Sequence, residues 1–418
     1  MINKKNIKEI LNSINIIEII NNYITLKNKG SNYIALCPFH NEKNPSFTVN
    51  QEKQFYYCFG CKTSGNVINF LTNFLKINFL EAIKILSKNK QSIIYKKPRI
   101  IKKKKINKIE ILNLINIAKH FFMKQLFLSK NALIYLKNRK ISYKIIKKFN
   151  IGYAKNKWNL LYKEFLKYKF LNFLDSTLII KNNINNYYYD RFRGRIIFPI
   201  KNIHGQTIGF GGRTIKNDKI KYLNSPKTEI FEKKNILYGL YEVKKKIQKK
   251  NYVLVTEGYI DVLTLYQSGF KNTVAVLGST CTLIHIKKLL QQTKNIIFCF
   301  DGDEAGKLAT INTLKVCLKI KIDKKIIKFI FLPNGYDPDT FIKKFGSEKF
   351  KILIKNSIPF SKFLINIIIG NNNINNFQDC IKIKLKAKEI LRKMQGSLLK
   401  IQIIKFIKNI LSLKNINF

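Results

Sequence analysis

Two pairs of residues near the start of the sequence have the types and spacing of metal ligands. Cys37 and His40 are separated by two residues, and so are Cys58 and Cys61. Such pairs supply four thiolate or imidazole ligands that close tetrahedrally around Zn²⁺ and leave no position open for a substrate. Cysteines placed by chance in a small core would not repeat this spacing. We therefore predict one structural zinc ion at these four residues.

Six carboxylates form a second candidate site. They are Glu257, Asp261, Asp301, Asp303, Asp337 and Asp339. Three short apolar runs precede them, so each pair should stand where a buried strand ends, at the edge where open α/β sheets bind ligands. A single Asp-x-Asp usually belongs to a turn or a helix cap. Repetition at three strand ends instead favours one shared site.

A cation is needed to hold that many carboxylates together. The chain has 24 acidic residues against 78 basic ones, yet six of the acidic residues would gather at one edge and repel one another. Mg²⁺ and Mn²⁺ prefer oxygen ligands of this kind. At such a site they activate an attacking hydroxyl and neutralise charge on phosphorus and on leaving pyrophosphate. The site thus predicts metal-dependent phosphoryl transfer.

Arginine is scarce and unevenly distributed. The seven arginines are Arg99, Arg139, Arg191, Arg193, Arg195, Arg213 and Arg392. Four of them fall between residues 191 and 213. A guanidinium binds phosphate through two parallel hydrogen bonds, a geometry that lysine cannot copy. The cluster indicates a phosphate-binding surface, and the alternative is an ordinary ion-pair network.

The formal net charge of +54 is typical of proteins that bind nucleic acids. However, Lys, Ile and Asn dominate the whole chain, as codon pressure in an AT-rich genome would produce. Much of the charge can therefore be a solvated surface, and the charge alone is a poor guide to function.

Aromatic and basic residues surround the predicted zinc ligands. They are Phe39, Phe47, Phe55, Tyr56, Tyr57 and Phe59, with Lys43, Lys53 and Lys62. Aromatic rings stack on unpaired bases while lysines contact the backbone, so this module could read a single strand. Several of the rings must also form the small core, and the sequence leaves that division open.

The pattern along the chain indicates which elements position these groups. Apolar residues recur at three- and four-residue steps in residues 7–17, which predicts a helix. Short alternating segments predict strands within residues 37–65, and helices follow in 67–86. A lysine-rich stretch, residues 96–108, has no periodicity and predicts a linker.

Beyond the linker the pattern changes twice. Residues 109–149 predict helices, and a small antiparallel sheet should include residues 196–200 and 207–210. Short apolar runs separated by helix-compatible segments then predict β-α-β units around a buried parallel sheet. These runs are residues 252–255, 273–277, 296–300 and 326–332. From residue 341 onward the pattern is helical.

Composition favours a folded protein of several domains. The 418 residues are 46% hydrophobic, which suffices for two or three cores. No run approaches the ~18 apolar residues of a membrane span, and the N-terminus lacks a signal sequence, so a cytoplasmic protein is expected. Seven cysteines, of which only the first three cluster, argue against a disulfide framework.

Several motifs together resemble the DnaG-type bacterial primases. Cys-Pro-Phe-His-Asn-Glu-Lys-Asn-Pro-Ser-Phe from Cys37, Phe-Tyr-Tyr-Cys-Phe-Gly-Cys from Phe55 and Ser-Gly-Asn-Val from Ser64 are similar to the zinc-binding domain of that family. In the family this domain helps recognise the template initiation sequence. Glu-Gly-Tyr-Ile-Asp from Glu257 and Asp-Gly-Asp from Asp301 resemble the toprim core that primases share with topoisomerases and some nucleases.

A basic segment resembles the groove of the DnaG polymerase domain. Its motifs begin at Asp190 (Asp-Arg-Phe-Arg-Gly-Arg), Gly209 (Gly-Phe-Gly-Gly-Arg) and Lys221 (Lys-Tyr-Leu-Asn-Ser-Pro). By that match, the residues that contact template, primer or nucleotide triphosphates would be Arg191, Arg193, Arg213, Lys221, Asn224 and Lys233. Gly209, Gly211 and Gly212 permit close backbone approach to phosphate, or they mark a tight turn.

The resemblance implies an α+β multidomain fold. Its parts would be a zinc-ribbon domain (1–95), a basic linker (96–108), a mixed α/β basic subdomain (109–245), a toprim α/β core with a parallel sheet (246–340) and C-terminal helices (341–418). The implied activity is synthesis of short RNA primers on single-stranded DNA from ribonucleoside triphosphates. All six carboxylates would bind Mg²⁺ or Mn²⁺, and the catalytic residues would be Glu257, Asp301 and Asp303. Glu257 would also serve as a general acid or base.

The expected partners are a single-stranded DNA template, an RNA primer and ribonucleoside triphosphates, with no membrane and a monomeric state. Family members usually carry a further domain that binds the replicative helicase. The sequence stops at Phe418, about where that domain would begin, so we expect it to be missing and leave helicase binding open.

Three other classes of protein would account for only some of these motifs. A topoisomerase or toprim nuclease would keep the acidic site, but neither explains the zinc ligands together with the arginine segment. A primase-helicase fusion would need a Gly-x-x-x-x-Gly-Lys-Ser/Thr loop, which the sequence lacks. A non-catalytic basic DNA-binding protein would have no need of the carboxylates.

Overall fold

The computed structural model describes residues 11, 14–42, 44–88, 108–168, 173–182, 186–216, 218, 220–278, 280–395 and 398–412. The chain divides into two compact units, residues 1–104 and 105–418. The predicted linker, residues 96–108, lies almost wholly outside the described residues. The same is true of much of the helix predicted for residues 7–17.

The first unit is a five-stranded antiparallel sheet with a helical layer. Its strands follow the order β1-β2-β3-β4-β5 and are β1 Lys27–Lys29, β2 Asn32–Ala35, β3 Phe47–Asn50, β4 Phe55–Cys58 and β5 Ser64–Gly65. Its helices are α1 Ile16–Asn21, α2 Val67–Phe74 and α3 Phe79–Lys88. Side chains alternate across a pleated sheet, and Phe47, Val49 and Tyr56 accordingly point into a core that includes Phe70.

The second unit begins with helices and a small antiparallel sheet. The helices are α4 Lys108–Phe127, α5 Lys130–Asn138, α6 Tyr143–Phe149 and α7 Leu160–Leu166. The sheet has the order β11-β10-β9-β6 and consists of β6 Gly152–Ala154, β9 Arg195–Lys201, β10 Thr207–Thr214 and β11 Tyr222–Asn224. A separate hairpin pairs β7 Ile179–Lys181 with β8 Tyr188–Asp190. The predicted helices and antiparallel strands of this region are confirmed.

A largely parallel sheet forms the core of the second unit. Its order is β13-β12-β14-β15-β16, with β12 Val253–Thr256, β13 Thr273–Ala275, β14 Asn295–Cys299, β15 Ile326–Ile330 and β16 Ile358–Pro359. The first four strands are parallel and β16 is antiparallel. The helices between and around them are α8 Leu240–Lys250, α9 Tyr259–Gln267, α10 Leu283–Leu290, α11 Glu304–Cys317 and α12 Pro338–Lys355. Because parallel strands end at one edge, this topology gathers the segments that follow β12, β14 and β15.

Three further helices complete the second unit. They are α13 Phe360–Ile369, α14 Phe377–Arg392 and α15 Leu398–Ser412, and their buried aliphatic side chains join the core of the parallel sheet. The helical pattern predicted from residue 341 is observed with two differences, because α12 already begins at Pro338 and the short strand β16 separates α12 from α13. No described helix is long and apolar enough to cross a membrane.

Candidate metal sites and nucleic-acid surface

The four predicted zinc ligands come together beside the antiparallel sheet. One ligand atom from each of Cys37, His40, Cys58 and Cys61 lies within 4.8 Å of the others. The Sγ atoms of Cys37 and Cys61 are 3.8 Å apart, and Cys58 Sγ is 3.8 Å from His40 Nδ1. A tetrahedron with metal–sulfur bonds of about 2.3 Å has an edge of about 3.8 Å. The spacing therefore fits one zinc ion bound by all four residues.

Hydrogen bonds and burial act in opposite directions on two of the predicted zinc ligands. The backbone N–H groups of Phe39 and Cys61 donate to the sulfurs of Cys37 and Cys58. Hydrogen bonds from Thr63 lower the pKa of Cys61 to about 7, whereas burial raises the pKa of Cys37 to about 12. A bound zinc ion favours the deprotonated ligand in every case. Within the described part of the chain, this cluster is the one group of three or more Cys, His, Asp or Glu residues whose ligand atoms already lie at the spacing of a single metal site.

The six predicted carboxylates lie along one edge of the parallel sheet, which we call the acidic edge. Glu257 and Asp301 directly follow β12 and β14, Asp303 and Asp337 are the N-caps of α11 and α12, and Asp261 and Asp339 lie in the first turns of α9 and α12. Helix N-termini carry partial positive charge, which attracts carboxylates to these positions. The sheet topology thus places side chains that are up to 82 residues apart in sequence on one edge.

The carboxylates of the acidic edge are close enough to repel one another. Burial raises the pKa of Asp261 well above its usual range, and Asp301, Asp337 and Asp339 raise it further. Burial, together with the charges of Glu257, Asp337 and Asp303, raises the pKa of Asp301 to about 7. The repulsion is the electrostatic situation that a bound cation would relieve.

Asp301 offers a second sign that a cation belongs here. Its Oδ1 atom is buried without a hydrogen-bond partner, and its backbone N–H donates to Glu257 Oε1 at 3.3 Å. A buried carboxylate oxygen without a partner is costly. A hard divalent ion such as Mg²⁺ or Mn²⁺ would supply the missing partner.

Asp339 differs from the other members of the acidic edge because protein groups already occupy its carboxylate. Thr264 Oγ1 donates to Asp339 Oδ1 at 2.6 Å, and Lys343 Nζ lies 2.6 Å from the same atom. Arg139 Nη1 lies 3.5 Å from Oδ2. The Asp339 side chain is 2% exposed, and its contacts connect α12 to α9 and to the residue that ends α5.

The predicted basic residues fall into three groups, the first of which lies between the hairpin and the small sheet. Arg191 and Arg193 lie between β8 and β9, where burial lowers the pKa of Arg191 and its Nε atom has no hydrogen-bond partner. The guanidinium of Arg193 lies 4.5 Å from the ring centroid of Trp158 and 5.2 Å from that of Tyr189. Trp158 is 60% exposed. This stack presents an aromatic face and a positive charge at one surface.

The next three predicted residues are Arg213 on β10, Asn224 on β11 and Lys221, which directly precedes β11. Arg213 is largely buried, and its guanidinium lies 5.0 Å from the ring centroid of Tyr222. Lys221 is exposed, and Asn224 Oδ1 accepts a hydrogen bond of 2.6 Å from Tyr259. Because Tyr259 begins α9, this bond connects the basic strands to the helix that carries Asp261 of the acidic edge.

Lys233 is exposed and lies in a short turn, residues 233–235. Its side chain packs against Gly278, which follows β13. A Cβ atom added at Gly278 would lie 2.9 Å from Lys233 Nζ. Partial desolvation against this segment lowers the pKa of Lys233. The sixth predicted nucleic-acid contact thus lies beside the segment that follows β13 of the parallel sheet.

The glycines of β10 have a different role from the one predicted. All eight residues of the strand are buried, so Gly209, Gly211 and Gly212 form neither a tight turn nor a surface that phosphate could reach. A Cβ atom at Gly211 would lie 2.2 Å from the Tyr259 ring, and one at Gly212 would lie 2.7 Å from the Phe192 ring. The glycines make room for aromatic packing.

Sequence reasoning missed several residues that the structure places at these sites. Trp158 is the one tryptophan of the chain, and this was a usable signal although the residue lies 33 positions before Arg191. Arg139 belonged to the scarce arginines but lies 200 residues from its partner Asp339. The contacts of Tyr259 could not be read from spacing, because they depend on tertiary packing.

Three protein families match successive parts of the chain. They are the CHC2 zinc finger over residues 2–100, the N-terminal domain of the DNA primase catalytic core over residues 121–244 and a toprim-like domain over residues 254–342. Their order follows the zinc ligands, the basic strands and the acidic edge along the chain.

Relatives of known name and structure agree with these families. DNA primase of Buchnera aphidicola subsp. Baizongia pistaciae is 43% identical over 402 residues, which cover 95% of this chain and 69% of the relative. DNA primase of Escherichia coli K12 is 37% identical, with 94% and 69% covered. The Aquifex aeolicus primase structure, containing zinc-binding and RNA polymerase domains, is 31% identical and covers 96% of both chains with a TM-score of 0.63.

A DnaG primase catalytic domain bound to single-stranded DNA is 35% identical to this chain. It covers 73% of this chain and 96% of its own, with a TM-score of 0.68. The match thus includes the solved structure of a primase holding the kind of nucleic acid that the basic surface suggests. The chain belongs to the DnaG family of DNA primases, nucleotidyltransferases that synthesise RNA primers as DNA-directed RNA polymerases.

Proposed function

We propose that the acidic edge binds the divalent ions, Mg²⁺ or Mn²⁺, with which this primase joins ribonucleotides. The observation that carries the proposal is the convergence of three strand ends on mutually repelling carboxylates, one of which, Asp301, has a buried oxygen without a partner. Bound ions would neutralise phosphate charge and activate the attacking hydroxyl.

The carboxylates have different parts in this proposal. Glu257, Asp301 and Asp303 are the proposed catalytic residues, and Asp261 and Asp337 complete the set that faces the ions. Glu257 is also our candidate for proton transfer to or from a reacting hydroxyl. Asp339 was predicted to bind metal as well, but its carboxylate is held by Thr264, Lys343 and Arg139. We therefore propose that Asp339 belongs to the same centre and that its role there is to fix the start of α12.

The basic residues are proposed to hold the nucleic acid and the incoming nucleotide. Arg191, Arg193, Arg213, Lys221, Asn224 and Lys233 would contact template, primer or nucleotide triphosphates. To these we add Trp158, whose exposed ring could stack on an unpaired base of the template while Arg193 contacts phosphate. The relative bound to single-stranded DNA supports this use of the surface.

The zinc module is proposed to read the template strand. The structure divides its aromatic residues into two sets, since Phe47 and Tyr56 are buried, while Phe55 is 42% exposed and Phe59 is 71% exposed. Tyr57 packs edge-on against Phe59 with ring centroids 5.0 Å apart. These rings extend from the face of β4 opposite the core, where they are free to stack on bases.

The proposed division of labour keeps the predicted boundaries. Residues 1–95 would bind the template start sequence, residues 109–245 would form the nucleic-acid surface, residues 246–340 would carry the metal centre and residues 341–418 would support it. A replication enzyme acts where the chromosome is, so we place it in the cytoplasm. A monomeric state and the helicase interaction stay predictions.

The test is primer synthesis by the purified chain on single-stranded DNA with ribonucleotides and Mg²⁺ or Mn²⁺. We expect Asp301→Ala and Asp303→Ala each to reduce synthesis by about 100-fold or more, a magnitude typical of losing transition-state electrostatics. Glu348→Gln on α12 is the control, since Glu348 is exposed and forms an ion pair with Lys351 of the same helix.

Binding of single-stranded DNA, measured in parallel, should be retained by the alanine variants and would show that they fold. Wild-type synthesis by both variants would mean that the metal centre is assigned to the wrong residues. Incision of duplex DNA without primer synthesis would instead indicate a toprim nuclease.

A further inference from the structure

Glu42 lies beside the zinc ligands and contacts three parts of the site at once. Its Oε1 atom accepts hydrogen bonds from the backbone N–H of Cys37 at 2.7 Å and from that of Ser46 at 3.0 Å. Its Oε2 atom accepts from the Ser46 hydroxyl and lies 3.1 Å from His40 Nε2. One carboxylate thereby connects the segment of the first two ligands to Ser46, which directly precedes β3.

The contact with His40 determines which ring nitrogen is available to a metal. His40 Nε2 faces Glu42, and His40 Nδ1 faces Cys58 Sγ at 3.8 Å. A neutral imidazole carries its proton on one nitrogen and offers the lone pair of the other. With Nε2–H donating to the carboxylate, Nδ1 is left as the ligand atom, and its basicity is increased by the hydrogen bond.

Ser46 extends the same network to the second pair of ligands. Its hydroxyl, bonded to Glu42, lies 3.2 Å from Cys58 Sγ, and its carbonyl accepts from the backbone N–H of Phe59. Cys37, His40 and Cys58 are therefore each linked to Glu42, either directly or through Ser46. Among the four ligands, Cys61 instead bonds to Thr63.

These contacts differ from those of an ordinary surface ion pair. An exposed pair contributes little and usually involves one partner, whereas the Glu42 side chain is 11% exposed and accepts from two backbone groups, a hydroxyl and an imidazole. Neither Cys-x-x-His nor Cys-x-x-Cys spacing includes this residue.

We infer that Glu42 is a positioning residue of the zinc site, which orients His40 for coordination through Nδ1 and holds the Cys37 and Cys58 segments at ligand distance. The inference rests on the proposal that these four ligands bind zinc. Glu42 itself makes no bond to the metal. Carboxylates that orient a metal-bound histidine typically change metal affinity by about 10- to 100-fold when they are removed.

The experiment compares the full chain with Glu42→Gln and Glu42→Asp. The glutamine keeps the shape and an acceptor oxygen but loses the charge, and the aspartate keeps the charge on a shorter arm. Glu52→Gln is the matched control, because Glu52 is an exposed glutamate in the turn between β3 and β4. Transfer of zinc to a chromogenic chelator measures retention, and ¹⁵N shifts of the imidazole identify the ligating nitrogen of His40.

We expect the glutamine variant to bind zinc about 10- to 100-fold more weakly than wild type, with aspartate intermediate and the Glu52→Gln control unchanged. In wild type the imidazole shifts should show a protonated Nε2 and a metal-bound Nδ1. Far-UV circular dichroism in excess zinc checks that each variant is folded.

Unchanged zinc retention in Glu42→Gln, or ligation of wild-type His40 through Nε2, would overturn the role of Glu42. A wild-type chain that holds no zinc would instead overturn the zinc proposal itself. If the glutamine variant does not fold even in excess zinc, the imidazole shifts of the wild type and the retention by the aspartate variant still decide the question.

Discussion

Asp301 and Asp339 have the same type of side chain, but their surroundings make them differently available to a metal ion. Asp301 has a buried oxygen with no partner and a pKa raised to about 7 by burial and by its acidic neighbours. Asp339 is surrounded by a hydroxyl and two cations. A group without partners is available to a metal ion, whereas one that is fully paired must first lose its protein contacts. Residue type alone does not distinguish them.

Trp158 provides a test of the nucleic-acid surface at the scale of one residue. Stacking of a base on an aromatic ring contributes about 1–3 kcal/mol, so we expect Trp158→Ala to weaken binding of single-stranded DNA by roughly 5- to 150-fold. Trp158→Phe retains an aromatic face and should lose much less. Binding is measured by fluorescence anisotropy of a labelled oligonucleotide.

The wild-type chain supplies an independent readout, because its one tryptophan is Trp158. Its emission should change when unlabelled single-stranded DNA is added. If emission stays constant at saturation and Trp158→Ala binds as wild type does, Trp158 lies outside the DNA path.

At the scale of elements, close contacts between strands and helices connect the proposed nucleic-acid surface to the proposed metal centre. Tyr259 at the start of α9 stacks on Phe198 of β9 with ring centroids 4.8 Å apart and bonds to Asn224 of β11. Gly211 of β10 leaves the space that the Tyr259 ring occupies. The start of α9, and with it Asp261, is therefore held by packing against the small sheet.

Gly211→Ala should disturb this connection. The added Cβ would lie 2.2 Å from the Tyr259 ring, and overpacking of this kind typically costs about 1–3 kcal/mol of unfolding free energy. Gly209→Ala is the comparison within the same strand, since its Cβ would lie 3.1 Å from the Phe231 ring. Denaturant unfolding should show a larger loss for Gly211→Ala, and primer synthesis should fall with it. Equal losses for the two variants would contradict the proposed contact.

Asp190 connects β8 to α7 and predicts a pH dependence. Its two carboxylate oxygens accept from the backbone N–H groups of Leu161 and Tyr162, and burial raises its pKa to about 6. The folded state therefore binds this proton more tightly than the unfolded chain, whose Asp has a pKa of about 4. The stabilising contribution is complete below about pH 4 and is lost as the pH rises through about 6.

We expect the unfolding free energy of wild type, relative to Asp190→Asn, to fall by on the order of 2–3 kcal/mol between about pH 4 and pH 7. Denaturant titrations of both proteins across this range provide the measurement. A difference that is constant or that grows with pH would mean that burial does not raise the pKa of Asp190 in the folded protein.

At the scale of the whole molecule, the net charge of +54 and the specific basic residues must be separated. Many lysines are exposed on helices far in sequence from any motif, and their charges attract nucleic acid without selecting it. Residues on β10 and β11 lie instead beside the helix that carries Asp261. The salt dependence of binding distinguishes a lysine in contact with DNA from a lysine that only adds to the field.

Lys221→Ala should reduce the slope of log affinity against log salt by about 0.7, the value for one phosphate contact on a single strand. The loss of affinity should be about the same for every DNA sequence tested. Lys362→Ala, which removes an exposed lysine from α13, should lower the affinity slightly and leave the slope unchanged. Equal slopes for all three proteins would remove Lys221 from the DNA contacts.

Local information in the sequence was sufficient to pair Cys37 with His40 and Cys58 with Cys61, to place each carboxylate pair after its own strand and to give the order of the main helices and strands. Zinc ligands separated by two residues are close in any folded form, and each carboxylate pair follows its own apolar strand. These features depend on spacing over a few residues, so periodicity and ligand chemistry could predict them. The parallel sheet followed from the same runs, because strands separated by helices pair in that direction.

Only the tertiary structure decided what each of these groups contacts. Gly211 faces Tyr259, Arg139 reaches Asp339, and Glu42 bonds to His40, although nothing in the local pattern distinguishes these residues from a turn glycine, a surface arginine or a solvated glutamate. Such contacts depend on how elements pack over long sequence separations, and packing is set by shape and burial across the whole core. The sequence by itself thus determined which chemistry is present, and the fold determined which side chains are free to perform it.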